Sequence, residues 1–102
     1  MSTTPYSLDN AEEISAQSPE SFPIPPREMR EALAAGDYAK VIFRGTSADG
    51  GAQVERMWVE VRSCGNRDYG GTLANDPFDL AGLAHGDEIR FGPEHVIAIS
   101  QA

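Results

Sequence analysis

Hydrophobic positions along this chain change their spacing once, near residue 37. Upstream, Pro25 and Pro26 precede a run in which Met29 and Leu33 are spaced i, i+4 with Ala32 beside them, and Gly36 closes it. Proline in the first turn and glycine just past the end predict one short helix over residues 25–36, with a single apolar stripe suited to covering the end of a sheet.

Downstream the period is two. Ala39, Val41 and Phe43 alternate with Tyr38, Lys40 and Arg44, predicting a half-buried strand over 37–44. Residues 45–52, with Asp49-Gly50-Gly51, read as a hairpin loop. A second strand over 53–63 places Met57, Val59 and Val61 on one face and Trp58, Glu60 and Arg62 on the other. Gly65-Asn66 turns the chain into a third strand over 68–74, through Tyr69 and Leu73. Asn75-Asp76-Pro77 ends it, because proline cannot donate to a ladder. Residues 78–83 form an apolar connection with one helical turn, and His85-Gly86-Asp87 launches a fourth strand through Ile89 and Phe91. After Gly92-Pro93, residues 94–100 supply a last strand carrying Val96, Ile97 and Ile99.

Five short strands without a long crossover helix favour antiparallel pairing, and a small sheet hides its edges best by curling. The fold class expected is α+β, mainly β: a small, strongly bent five-stranded antiparallel sheet or SH3-like barrel with one short N-terminal helix. An open helix-backed sheet is the alternative. Residues 25–102 make one globular domain. Residues 1–24, rich in Ser, Thr and Pro and holding four acids but no Lys or Arg, read as a flexible acidic leader whose Tyr6, Leu8, Ile14, Phe22 and Ile24 are available to latch onto the domain or a partner.

Charge narrows the choice of partners. Eight Lys and Arg against sixteen Asp and Glu give a net charge of −8, with the basic residues scattered singly. Nucleic acids and anionic membranes are therefore poor partners, and a basic protein or peptide fits the field better. One cysteine, Cys64, excludes an intrachain disulfide, and the N-terminal residues lack the charge and apolar core of a secretory signal, so a cytoplasmic location is expected.

Candidate chemistry is sparse. His85, Asp87 and His95 offer imidazole and carboxylate ligands, with the last two facing each other if their strands form a hairpin, but neither paired-histidine spacing nor a cysteine ligand accompanies them. Cys64 could act as a nucleophile with His85 or His95 as base, although lone cysteines are commonly inert packing residues. Asp76 and Asp79 could divide acid and base roles, while Asp76 is also what a turn selects. Gly50-Gly51 and Gly70-Gly71 lie in hairpin contexts, not before a helix, so no phosphate loop and no cofactor is implied. Trp58 stands on the polar side of its strand and poses an even choice between core and contact. Phe78 reads first as a core anchor and second as an exposed hook.

Glu55-Arg-Met-Trp58, Gly71-Thr-Leu73, Asn75-Asp76-Pro77 and Gly86-Asp87, in this order, resemble a bacterial family of small proteins known as domain of unknown function 2314. The resemblance spans roughly residues 37–99. It implies a shared fold and no assigned activity. The expected function is a non-catalytic cytoplasmic binding module holding a protein or peptide through Trp58, Tyr69, Asn75, Asp76 and Phe78. Two alternatives stand beside it: a small metal-dependent or acid/base enzyme using His85, Asp87, His95 and Asp76, and a subunit that self-associates through a strand edge.

Overall fold

A computed structural model describes residues 5–101. The strands are β1 (Tyr6–Leu8), β2 (Tyr38–Thr46), β3 (Ala52–Cys64), β4 (Tyr69–Leu73), β5 (Glu88–Phe91) and β6 (Val96–Ser100). Helix α1 (Ala11–Gln17) follows β1, α2 (Arg27–Arg30) precedes β2, and a 3₁₀ turn, Pro93–His95, joins β5 to β6. All pairings are antiparallel, in the order β1-β2-β3-β4-β5, with β6 returning to β2.

The curl follows from how the two long strands share their edges. β3 pairs with β2 over Ala52 to Glu60 but with β4 only from Val59 to Cys64, so its two halves belong to different parts of the sheet. β2 gives one edge to β6 at its start and to β1 at its end. Register shifts between Lys40 and Val41 and between Val61 and Ser63 add the local bend that bulges supply. The result is the bent, barrel-like sheet expected, mainly β with short helices.

Inside lie Val41, Phe43, Val59, Val61, Leu73, Ile89, Phe91 and Val96, all essentially without solvent contact. At about 1.5–3 kcal/mol for each large apolar side chain, this period-two set is the main favourable term of the fold. The predicted inward face of β3, Met57, Val59 and Val61, is buried as drawn from the sequence.

The sixth strand comes from the segment read as a flexible leader. Tyr6 and Leu8 pack against the core, and the Tyr6 ring meets Phe43 edge-on at 5.2 Å. Asn10 caps α1 by accepting the Glu13 amide, and Ala11 is fully buried. Arg44 grips Asp9 through two guanidinium nitrogens, holding that carboxyl below its usual range. Residues 1–4 of the expected leader lie outside the described residues. Composition judged the segment by its own apolar content, whereas the edge of β2 supplies the missing partners.

The helix expected over 25–36 is one turn. Arg30 is its last residue, and its guanidinium is buried and donates to the carbonyls of Pro25 (2.8 Å) and Pro93 (2.8 Å) and to Glu12 (2.6 Å). Residues 78–83 form no helical turn, and Glu94 and His95 belong to the 3₁₀ turn, not to the last strand.

One local device occurs twice. In Leu33-Ala-Ala-Gly-Asp37 and Leu83-Ala-His-Gly-Asp87, the aspartate amide donates to the carbonyl of the first alanine and the aspartate carboxylate accepts that alanine's amide. Gly36 and Gly86 have φ of 98° and 92°, and no non-glycine described has positive φ, which is the pattern of a type II turn with glycine third. These turns launch β2 and β5. Among the described residues no helix is long and apolar enough to cross a membrane.

Candidate functional site

Trp58 lies on the outer face of β3, half-buried, directly across from Lys40 of β2, whose Nζ sits 5.5 Å from the ring centroid. Its backbone points away from β2. The Trp58 carbonyl accepts from the Ala74 amide at 2.9 Å, and its N–H donates to Asn75 Oδ1 at 2.6 Å. The asparagine side chain thus takes over the ladder where β4 ends.

Glu55 fastens the next few residues. Its carboxylate accepts from the amides of Phe78 (2.8 Å) and Asp79 (2.7 Å) and from Gln53 Nε2 (2.8 Å). Burial alone would raise its pKa, but these donors, Gln53 foremost, bring it below the ordinary value of 4.5. Beyond it, Asp79 accepts the Ala48 amide, the Ala81 amide donates to the Thr46 carbonyl, and Leu80 is buried in the core. The loop is therefore pinned at both ends across the open mouth of the sheet. Phe78, between the pins, is 91 % exposed. The core anchor expected of it is Leu80 instead, because the two amides flanking the Phe78 side chain are turned inward to Glu55.

Trp58, Asn75, Asp76 and Phe78 border one shallow groove of about 580 Å³, completed by Lys40, Val54 and Arg56. Val54 is 44 % exposed beside it. Four of the five predicted contact residues are thus brought together. Tyr69 is not among them: it points into the core against Phe91, its hydroxyl donating to the Arg30 carbonyl and accepting the Leu33 amide. Burial pushes its pKa up. The pairing of Tyr69 with Phe91 puts it on the inward parity of β4, the parity it shares with Leu73.

Glu55 is a site residue that the sequence pattern did not single out. Its signal was present, since it shares parity with Met57, Val59 and Val61, and a charge at an inward position must find donors.

The proposed ligand set does not assemble. His85 is exposed, Asp87 accepts the Ala84 amide, and His95 Nδ1 accepts the Gly92 amide at 2.9 Å, so the last two are engaged in separate turns. Among the described residues no three His, Cys, Asp or Glu are placed to share a metal ion. Desolvation holds the His95 pKa below 6.5, against the opposing pull of Glu94 and Glu12. The Cys64 thiol donates to the Leu33 carbonyl, and Asp79 accepts the Ala48 amide, so neither arrangement resembles an acid/base pair. A second cleft of about 770 Å³ between α2 and the β3–β4 turn is polar, its Glu12 and Glu31 carboxylates neutralised by Arg27.

Residues 15–98 match the family described as uncharacterized protein conserved in bacteria, domain of unknown function 2314. The chain belongs to this family. No curated protein and no solved structure matches it. The residues that carry the family resemblance have structural tasks: Glu55 and Asn75 clamp the Phe78 loop, and Gly86-Asp87 makes the turn into β5. At Gly71 a Cβ would overlap the Glu60 carbonyl, so only glycine fits where β4 meets the β3 bulge. The family match begins inside α1, leaving β1 outside it.

Proposed function

We propose that this family member is a non-catalytic binding module of the bacterial cytoplasm that holds a protein or peptide partner on the face formed by Trp58, Asn75, Asp76 and Phe78. The observation that carries the reading is the state of Phe78. An aromatic ring is held almost wholly in solvent by a loop whose backbone is fastened to Glu55 on either side of it. Isolated exposed apolar residues are ordinary, as Met29 is here. Phe78 differs in having its backbone fastened and in being continuous with Val54 and the half-buried Trp58 along one groove, so little backbone ordering is needed to present it. The chain's charge of −8 makes basic proteins the first to examine, since that field speeds their encounter.

The test is site-specific photo-crosslinking from position 78 of the full chain in the bacterial cytoplasm, followed by affinity measurement with the crosslinked protein. Phe78→Ala is expected to weaken that affinity by about tenfold or more, as removal of an interface anchor does. Equal affinity of Phe78→Ala and the parent chain would overturn the reading.

A further inference from the structure

The groove also borders an unfinished edge of the sheet. Trp58 directs its N–H and C=O away from β2, and the two-residue period of a strand sends those of Arg56 and Val54 the same way. β4 pairs with β3 only from Val59 onward, and Asn75 covers Trp58. Past that point the loop holds the Glu55 side chain, not the backbone, and among the described residues neither Val54 nor Arg56 has a backbone hydrogen bond on this side. Both residues are exposed. Edges of this kind are normally covered or paired, and this one lies between Trp58 and Phe78.

Charge adds a preference. Lys40, Arg56 and Arg67 have no carboxylate within ion-pair distance among the described residues, and the first two line this groove. Of the two carboxylates there, Glu55 is taken up by the Phe78 and Asp79 amides and Gln53, and Asp76 is the other. Lys40 lies over Trp58, and Arg56 lies 5.6 Å from the Phe22 ring centroid on the same outer face.

We infer that the partner docks by strand addition: an extended segment pairs with the Val54–Arg56 edge in line with β4. It places an acidic side chain against Arg56 and Lys40 and a bulky apolar one between Trp58 and Phe78. The two N–H and two C=O groups supply backbone affinity, and the outer-face side chains set the sequence. This mode rests on the face assigned under Proposed function, but it fails separately from it. The field of −8 acts on the partner as a whole, while the segment answers to the two local cations.

The probe is a peptide selected from a random linear library on the intact chain, titrated into isotope-labelled protein. Selected peptides should carry an acidic and a bulky apolar residue two positions apart. On binding they should slow hydrogen exchange at the Val54 and Arg56 amides, and N-methylation at alternate peptide positions should weaken binding about tenfold in one phase and little in the other. Arg56→Glu should exchange the acidic preference for a basic one. Failure to select any peptide, or binding that leaves both amides unprotected and ignores N-methylation, overturns strand addition while leaving the crosslinking result at position 78 to stand. Concentration-dependent self-association that protects the same amides without peptide also overturns it, making a second copy the occupant.

Discussion

Replacing Glu55 by alanine separates the fastening of the Phe78 loop from everything else in the fold. The change removes the acceptors of the Phe78 and Asp79 amides and of Gln53 Nε2. Hydrogen bonds to a charged group contribute about 1.5–3 kcal/mol each when buried. The Phe78 amide lies where water can replace Glu55, and Gln53 can turn to solvent, so most of the loss falls on the partly buried Asp79 amide. The expected cost is about 2 kcal/mol, and for a domain of this size that lowers Tm by roughly 10 °C. Urea titration should show a lower midpoint at unchanged slope, and hydrogen exchange should accelerate at Phe78 and Asp79 while the Trp58 amide, held by Asn75, keeps its protection. Glu55→Gln keeps one accepting oxygen and should lose about half as much. A Glu55→Ala variant within about 0.5 kcal/mol of the parent, or with unchanged exchange at those two amides, would refute the clamp and with it the fastened backbone argued for Phe78.

Phe78→Ala, by contrast, should change stability by less than about 0.5 kcal/mol in the same titration, because almost none of its ring is removed from water. Arg30→Met should cost about 2–4 kcal/mol by the same measurement, since it strands two carbonyls and part of Glu12 that a buried guanidinium now satisfies, although Arg27 remains beside Glu12. The urea midpoint should also fall as pH drops below 6.5. His95 has a folded pKa beneath that value, so the folded state binds fewer protons than the unfolded one and stability rises with pH through the window. Protonation at Nδ1 removes the acceptor of the Gly92 amide, and His95→Asn should flatten this limb. A second decline should set in below 4.5 as Glu55 and Glu12, both depressed when folded, take up protons.

The residues also show which features were legible in one dimension. Strand positions in β2, β3 and β5 followed from alternation, because a period of two places every second side chain in the core whatever the partner strand is. Turn sites followed as well, and the repeated Leu-Ala-x-Gly-Asp segments before β2 and β5 stood in the sequence as one more local signal. The groove was partly legible: Trp58, Asn75, Asp76 and Phe78 were marked by type and context, while Tyr69 shares the parity of Leu73 on β4 and so belongs with the core, not with the contact residues.

Local residue chemistry thus determined the strands after residue 37 and the turns between them. Tertiary structure alone decided that residues 6–8 complete an edge of β2, that Arg30 at the end of α2 joins three segments, and that Phe78 faces water while Leu80 faces the core. Each of these turns on a hydrogen-bond partner distant in sequence, Glu55 for the Phe78 loop and Pro93 for Arg30, and a distant partner leaves no period along the chain.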